Sequence, residues 1–135
     1  MISALALLSV ALLFGGTVLY SFGFAAFLFT ALPAETAGPV IRRAFPHFYL
    51  FVIGCAALSA ALLWHRDPLG AGVMAMVAAS TLPTRQVLMP AINRATDDGA
   101  RDRFKWLHGA SVAITLAHIV LTGWVLVRFL APAAG

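Results

Sequence analysis

An all-α fold, specifically a four-transmembrane-helix bundle of the antiparallel up-down kind, is predicted by three observations. Four apolar stretches recur along the chain, at about 2–32, 45–64, 69–88 and 104–130, and each is near or above the ~20 residues that cross a bilayer as helix. The charged residues, only 10% of the chain, gather between those stretches. The 61% hydrophobic content and mean hydropathy of +0.93 lie outside the range of soluble globular domains. The 135 residues therefore read as a single integral membrane domain, 1–135, whose first partner is the lipid bilayer.

The first stretch reads as a span and not as a signal peptide, because no Lys or Arg precedes Arg42 and the apolar run is about twice as long as a signal core. Within it Ser9, Gly16, Gly23 and Thr30 recur every seven residues, with Tyr20 on the same face. Small residues at that spacing predict a seam where a neighbouring helix approaches closely. Residues 33–44 carry Pro33, Pro39, Gly38, Glu35, Arg42 and Arg43, with Pro46 just beyond. They are expected to form a loop that folds back toward the bundle.

The second stretch contains Cys55, the lone cysteine, so an intrachain disulfide is excluded. His65-Arg66-Asp67-Pro68 predicts a minimal turn in which Asp67 caps a helix that begins with proline. The second and third spans should then pair as a tight hairpin. After the third span, residues 92–103 read as a solvated connector with Gly99 as a helix stop. In the fourth span His108, Ser111, Thr115, His118 and Thr122 recur at spacings of three and four, which confines them to one stripe that must face protein. Trp64, Trp106 and Trp124 fall near span ends, where indole rings anchor to headgroups.

Charge sets the orientation. Arg42, Arg43, Arg94, Arg101, Arg103 and Lys105 fall in or beside the segments 33–44 and 92–103, with Arg85 near them, whereas Arg66 and Arg128 fall on the other side. The positive-inside rule places loops 33–44 and 92–103 in the cytoplasm and both termini on the opposite side. The same clustering explains the isoelectric point of 10.2, from nine Lys/Arg against five Asp/Glu, without invoking nucleic acid as a partner.

Chemistry is sparse. No nucleophile triad, zinc motif, phosphate loop or dinucleotide fingerprint can be assembled, and the five carboxylates all lie outside the spans, which speaks against an enzyme. The titratable residues inside the spans carry the alternatives. His118 lies ~15 Å along its helix from His108, and Cys55 lies ~12 Å from His47, so Cys55 and His118 share a depth. Imidazole with sulfur suits copper, and a histidine pair suits haem b, which makes His118, His47, His108 and Cys55 candidate metal or haem ligands. A neutral histidine bonded inside the bundle and an interfacial role for His47 and His108 are the competing readings. Glu35 and Arg85 can form an ion pair that closes the bundle, or Arg85 can extend to the interface.

The runs Ala44-Phe45-Pro46-His47-Phe48-Tyr49, Pro90-Ala91-Ile92-Asn93-Arg94 and Arg103-Phe104-Lys105-Trp106-Leu107-His108-Gly109-Ala110-Ser111 occur in that order. As Phe-Pro-x-x-Tyr, Pro-x-x-x-Arg and Phe-x-x-x-His-x-x-Ser they resemble the family that includes transmembrane protein 205, small four-span membrane proteins largely of unknown function. The resemblance covers most of the chain. It implies a shared framework of Phe45, Pro46, Tyr49, Pro90, Arg94, Phe104, His108 and Ser111, with His47 and His118 outside it. A polar rim of Glu35, Tyr49, Arg85, Asn93, Arg94, His108 and Ser111 on the cytoplasmic side then suits an anionic headgroup, a small polar ligand or a partner subunit. The leading expectation is a non-enzymatic membrane protein that acts by binding, as an accessory subunit of a larger complex. A haem- or copper-handling protein and a small-solute or lipid transporter are the alternatives.

Overall fold

The computed structural model describes residues 1–130, so that residues 131–135 of the expected 1–135 domain lie outside the described residues. All regular structure among them is helical. Helix α1 (Ile2–Val18) passes through a π-turn, Leu19–Phe24, into α2 (Ala25–Ala31). Then follow α3 (Ala34–Leu63), α4 (Pro68–Pro83), a second π-turn at Thr84–Leu88, α5 (Met89–Asp97) and α6 (Arg101–Arg128). Helix α1 packs on α3 and α6, α4 packs on α3 and α6, and α5 packs on α6, so α3 and α6 lie diagonally across a ring of four helical rods.

Three helices are long and apolar enough to cross a membrane: Ile2–Ala31, Ala34–Leu63 and Arg101–Arg128. The rod formed by α4, the second π-turn and α5 is not among them. Its second half carries Ser80, Thr81, Thr84, Arg85 and Gln86, and these lower its hydropathy below that of a lipid-facing helix. The expected third span, 69–88, also does not end where expected: the rod runs on to Asp97. Pro83 and Pro90 bracket the π-turn. Pro90 lacks an N–H and crowds the carbonyl four residues back, that of Gln86 inside the turn, and the wider turn relieves that crowding without ending the helix.

The segment 33–44 is helix, not a loop. Pro33, extended at φ −56° and ψ 145°, makes the break, and Ala34 begins a 30-residue helix that contains Pro39 and Pro46. Each internal proline costs one backbone bond, but unwinding the segment would expose many more polar groups at the edge of lipid. Glu35 sits in the first turn of α3, where its charge complements the helix dipole. The connector 92–103 is likewise mostly helical, with its turn confined to residues 98–100. Gly99, at φ 66°, lies in the left-handed region, and its N–H donates to the Thr96 carbonyl while that of Ala100 donates to the Ala95 carbonyl. That pair of bonds is a Schellman stop, which requires the freedom of glycine at this position.

The minimal turn before α4 forms as the sequence predicts. The Asp67 side chain accepts from the Gly70 N–H at 3.1 Å, with Pro68 at the first helical position.

The core is unusual for its hydroxyls. Val10, Leu13, Leu63, Met74, Val77 and Val125 fill the centre, but Ser59, Thr17, Thr81, Thr84 and Thr122 are buried beside them. Each threonine donates to a carbonyl one turn back: Thr17 to Leu13 and Thr81 to Val77 at 2.7 Å, Thr122 to His118 at 2.8 Å and Thr84 to Ser80 at 2.9 Å. Ser9 and Ser59 bond across α1 and α3 at 2.8 Å. Outside, Leu8, Phe22, Phe27, Leu58, Leu69, Val120 and Val127 are exposed. Polar groups inside and large apolar groups outside are what a bilayer selects.

The seven-residue seam holds for half its length. Ser9 is buried, and Gly16 lets Phe51 approach so closely that a Cβ there would lie 2.6 Å from the ring. Gly23 and Thr30 are exposed instead, and Leu28 is buried. The π-turn at Leu19–Phe24 rotates everything after it out of heptad register. Within that turn Tyr20 stacks on Phe48 with ring centroids 4.5 Å apart.

Candidate functional site

The basic end of the bundle contains a cleft of about 100 Å³ between α3, α5 and α6. The helical form of residues 34–45 builds one wall, because Arg42, Phe45 and Tyr49 recur at three and four and so face the same way. Asn93 and Ile92 of α5 and His108 and Ser111 of α6 complete it, with Ile41 and Met89 supplying apolar surface. Tyr49 is almost fully buried and lines the cleft together with Ser111. His108 stacks on Phe104 with centroids 5.3 Å apart, nearly parallel.

Of the expected rim, the cleft gathers Tyr49, Asn93, His108 and Ser111. Three residues stand elsewhere. Glu35 is exposed in the first turn of α3, and Arg94 is exposed near the end of α5. Arg85 donates from Nε to the Pro46 carbonyl at 3.3 Å. The ion pairs among the described residues are Arg42–Asp97 and Arg128–Asp67, so Arg85 is held by the Pro46 carbonyl and not by Glu35.

Arg42 is the cleft residue that the sequence alone did not single out. It reaches Asp97 at 2.7 Å and the Asn93 carbonyl at 3.4 Å, tying α3 to α5 across the cleft mouth. The signal was present in its spacing to Phe45 and Tyr49, and reading 33–44 as a loop concealed it.

The residues considered for metal or haem do not converge. His47 is exposed and borders a groove between α1 and α3, with Tyr20, Phe48 and Phe51. His118 is half-buried and meets Ser80 Oγ through Nε2 at 2.9 Å. Cys55 is half-buried in α3, where its carbonyl accepts from Ser9 Oγ at 3.4 Å. Among the described residues no group of three or more His, Cys, Asp or Glu stands together.

The opposite end is closed by a clamp. Arg128 donates to Asp67 through Nε at 2.8 Å and through a terminal nitrogen at 2.7 Å. Arg66 donates to Ser3 Oγ at 2.6 Å and lies over the Phe129 ring, while Arg128 lies over Trp124. The Arg128 hydrogen bonds, with help from the Gly70 N–H and nearby positive charge, hold the Asp67 carboxyl below its ordinary 3.8 despite partial desolvation. Asp67 therefore serves twice, as helix cap and as anchor for α6.

A family profile described as a domain of unknown function (DUF4149) matches residues 8–101. The match begins within α1, takes in the helices through α5 and stops where α6 begins, before His108, Ser111 and His118. No curated protein and no solved structure matches the chain.

Proposed function

The chain belongs to the DUF4149 family, and we propose that it acts without catalysis, as a four-span antiparallel membrane bundle that binds an anionic lipid headgroup in the cleft at its basic end. We further liken it to the proteins like transmembrane protein 205, on the ordered Phe-Pro-x-x-Tyr, Pro-x-x-x-Arg and Phe-x-x-x-His-x-x-Ser motifs. The four rods cross the bilayer with the turns after Ala31 and Asp97 in the cytoplasm, because the basic residues crowd that end.

The carrying observation is the pairing of Arg42. Its partner Asp97 is 61% exposed, and an exposed ion pair is weak, with a median near 0–1 kcal/mol. An incoming phosphate can displace Asp97 and gain a bidentate guanidinium contact. Asn93, His108 and Ser111 stand around it as further polar partners, and Ile41, Phe45, Met89 and Ile92 continue toward the hydrocarbon. A polar head beside an apolar wall at interface depth fits an amphiphile better than a free solute. The haem or copper alternative lacks a convergent donor set here, since His47, His118 and Cys55 occupy three separate surroundings.

The test is a titration of delipidated protein with short-chain phosphatidic acid and short-chain phosphatidylcholine, read by thermal midpoint. The anionic lipid should raise the midpoint of the wild type and do so about tenfold less effectively in Arg42→Gln, the loss expected for one charge-assisted contact. Equal shifts by the two lipids would refute a headgroup site.

A further inference from the structure

The rod built by α4, the second π-turn and α5 carries one polar side chain that its own bundle does not satisfy. From Pro68 to Asp97 the rod is ~45 Å long at ~1.5 Å per residue, the thickness of a bilayer with its headgroups. Gln86 lies ~16 Å short of the basic end, and a headgroup layer of ~7 Å there leaves it ~9 Å inside the hydrocarbon. Its polar neighbours are held within the chain. Ser80, Thr81 and Thr84 donate to carbonyls of the same rod, and Arg85 donates to the Pro46 carbonyl. Gln86 is exposed on the outside of the ring and joins no side-chain hydrogen bond among the described residues. Its amide both donates and accepts, and lipid tails offer it neither partner.

The face around Gln86 admits a close neighbour. Gly72, Ala75, Met76, Ala79 and Pro83 are exposed there, at steps of three and four that share one side of the helix. Gly72, Ala79 and Gln86 repeat every seven residues, and the space around Gly72 is open. The rod meets α3 and α6 on its other side, where Ala71, Met74, Val77 and Thr81 are buried.

We infer that this face is the interface with a second copy of the chain, formed about a two-fold axis along the membrane normal, in which the two Gln86 amides bond to each other. The amide is its own complement, since its nitrogen donates and its oxygen accepts. Such an axis brings the same residue of each copy to the same depth and the same face. A different chain would have to present a matching donor and acceptor at that depth. The small residues on either side let two backbones approach closely enough for the amides to meet, which is how polar side chains join helices in lipid. The inference rests on the reading that all four rods cross the bilayer and is independent of what fills the cleft.

The experiment uses the full chain with single cysteines in a Cys55→Ser background, in vesicles of the membrane that expresses it. Oxidation should link Ala79→Cys chains as dimers and leave Val120→Cys, exposed on α6, unlinked. Gln86→Cys should resist an impermeant maleimide from both sides. Förster transfer between labelled chains in liposomes should show association about tenfold weaker in Gln86→Leu, the size of one or two interhelical hydrogen bonds in lipid, and largely kept in Gln86→Asn. A protected Gln86→Cys without an Ala79→Cys dimer, a link from Ala79→Cys to a different protein, or undiminished association of Gln86→Leu would overturn the inference and leave the four-rod reading standing. A Gln86→Cys that reacts with the maleimide would overturn both.

Discussion

Asp67 shows how much a single side chain carries in this molecule. It caps α4 and binds Arg128 of α6 through two hydrogen bonds. The two roles separate by substitution: Asp67→Asn keeps a cap and loses the charge pair, while Asp67→Ala also loses about 1 kcal/mol of capping. Their order of thermal stability should be wild type, Asn, Ala. The folded carboxyl titrates below its ordinary 3.8, so its charge-dependent stabilisation is fully present above that value and disappears as the pH falls through the depressed one. The gap between wild type and Asp67→Asn should accordingly be constant near neutrality and close only in strong acid. Gly16 makes a second residue-scale case. A side chain there must displace Phe51, and Gly16→Val should cost about 1–3 kcal/mol, as overpacking does, measured by denaturant titration in micelles. The cap at Asp67 and the close approach at Gly16 were both legible in the sequence. The clamp to Arg128 was not, because its partners are 61 residues apart and no local pattern joins them.

At the scale of elements, the positions of the turns matter most. Gly99 is the stop between α5 and α6 at φ 66°, with open space around its α-carbon. Gly99→Ala should therefore cost about 1–2 kcal/mol through backbone conformation alone, with no steric part. Prolines misled in the other direction. Pro39 and Pro46 argue locally for a loop, yet both lie inside α3, since backbone polar groups near lipid stay paired at the expense of local preference. The same error moved the end of the third rod, where Pro83 and Pro90 bracket a widened turn without breaking the helix. These differences bear on the site. A helical 34–45 brings Arg42 onto the Tyr49 face, and a rod extended to Asp97 brings Asn93 and Asp97 across from it. Three of the rim residues in the cleft, Tyr49, His108 and Ser111, were found by their motifs, and Asn93 by its place beside one, whereas Arg42 depended on knowing that the helix began earlier.

For the whole molecule, the apolar exterior and hydroxyl-rich interior follow from composition and helical period, and both were visible before the fold. Beyond the hairpin of α3 and α4, which the short turn at Asp67 made visible, the neighbours of each helix were not, because every other pairing preserves the same hydropathy pattern. The ring places α3 and α6 on a diagonal, so Tyr49 and Ser111 meet only through the centre. The proposed orientation predicts sided labelling. In a Cys55→Ser background, Asp98→Cys should react with an impermeant maleimide only from the cytoplasmic side, and His65→Cys only from the other, as measured in oriented vesicles.

The central claim is that the basic end holds an anionic headgroup through Arg42, and native mass spectrometry of protein extracted gently from its membrane tests it most directly. The wild type should carry about one anionic phospholipid per chain, retained at collision energies that strip zwitterionic lipids, and Arg42→Gln should lose it while Arg94→Gln, outside the cleft, keeps it. A wild-type chain that releases anionic and zwitterionic lipids alike, or an Arg42→Gln variant that retains the anionic lipid as well as the wild type does, would contradict the account.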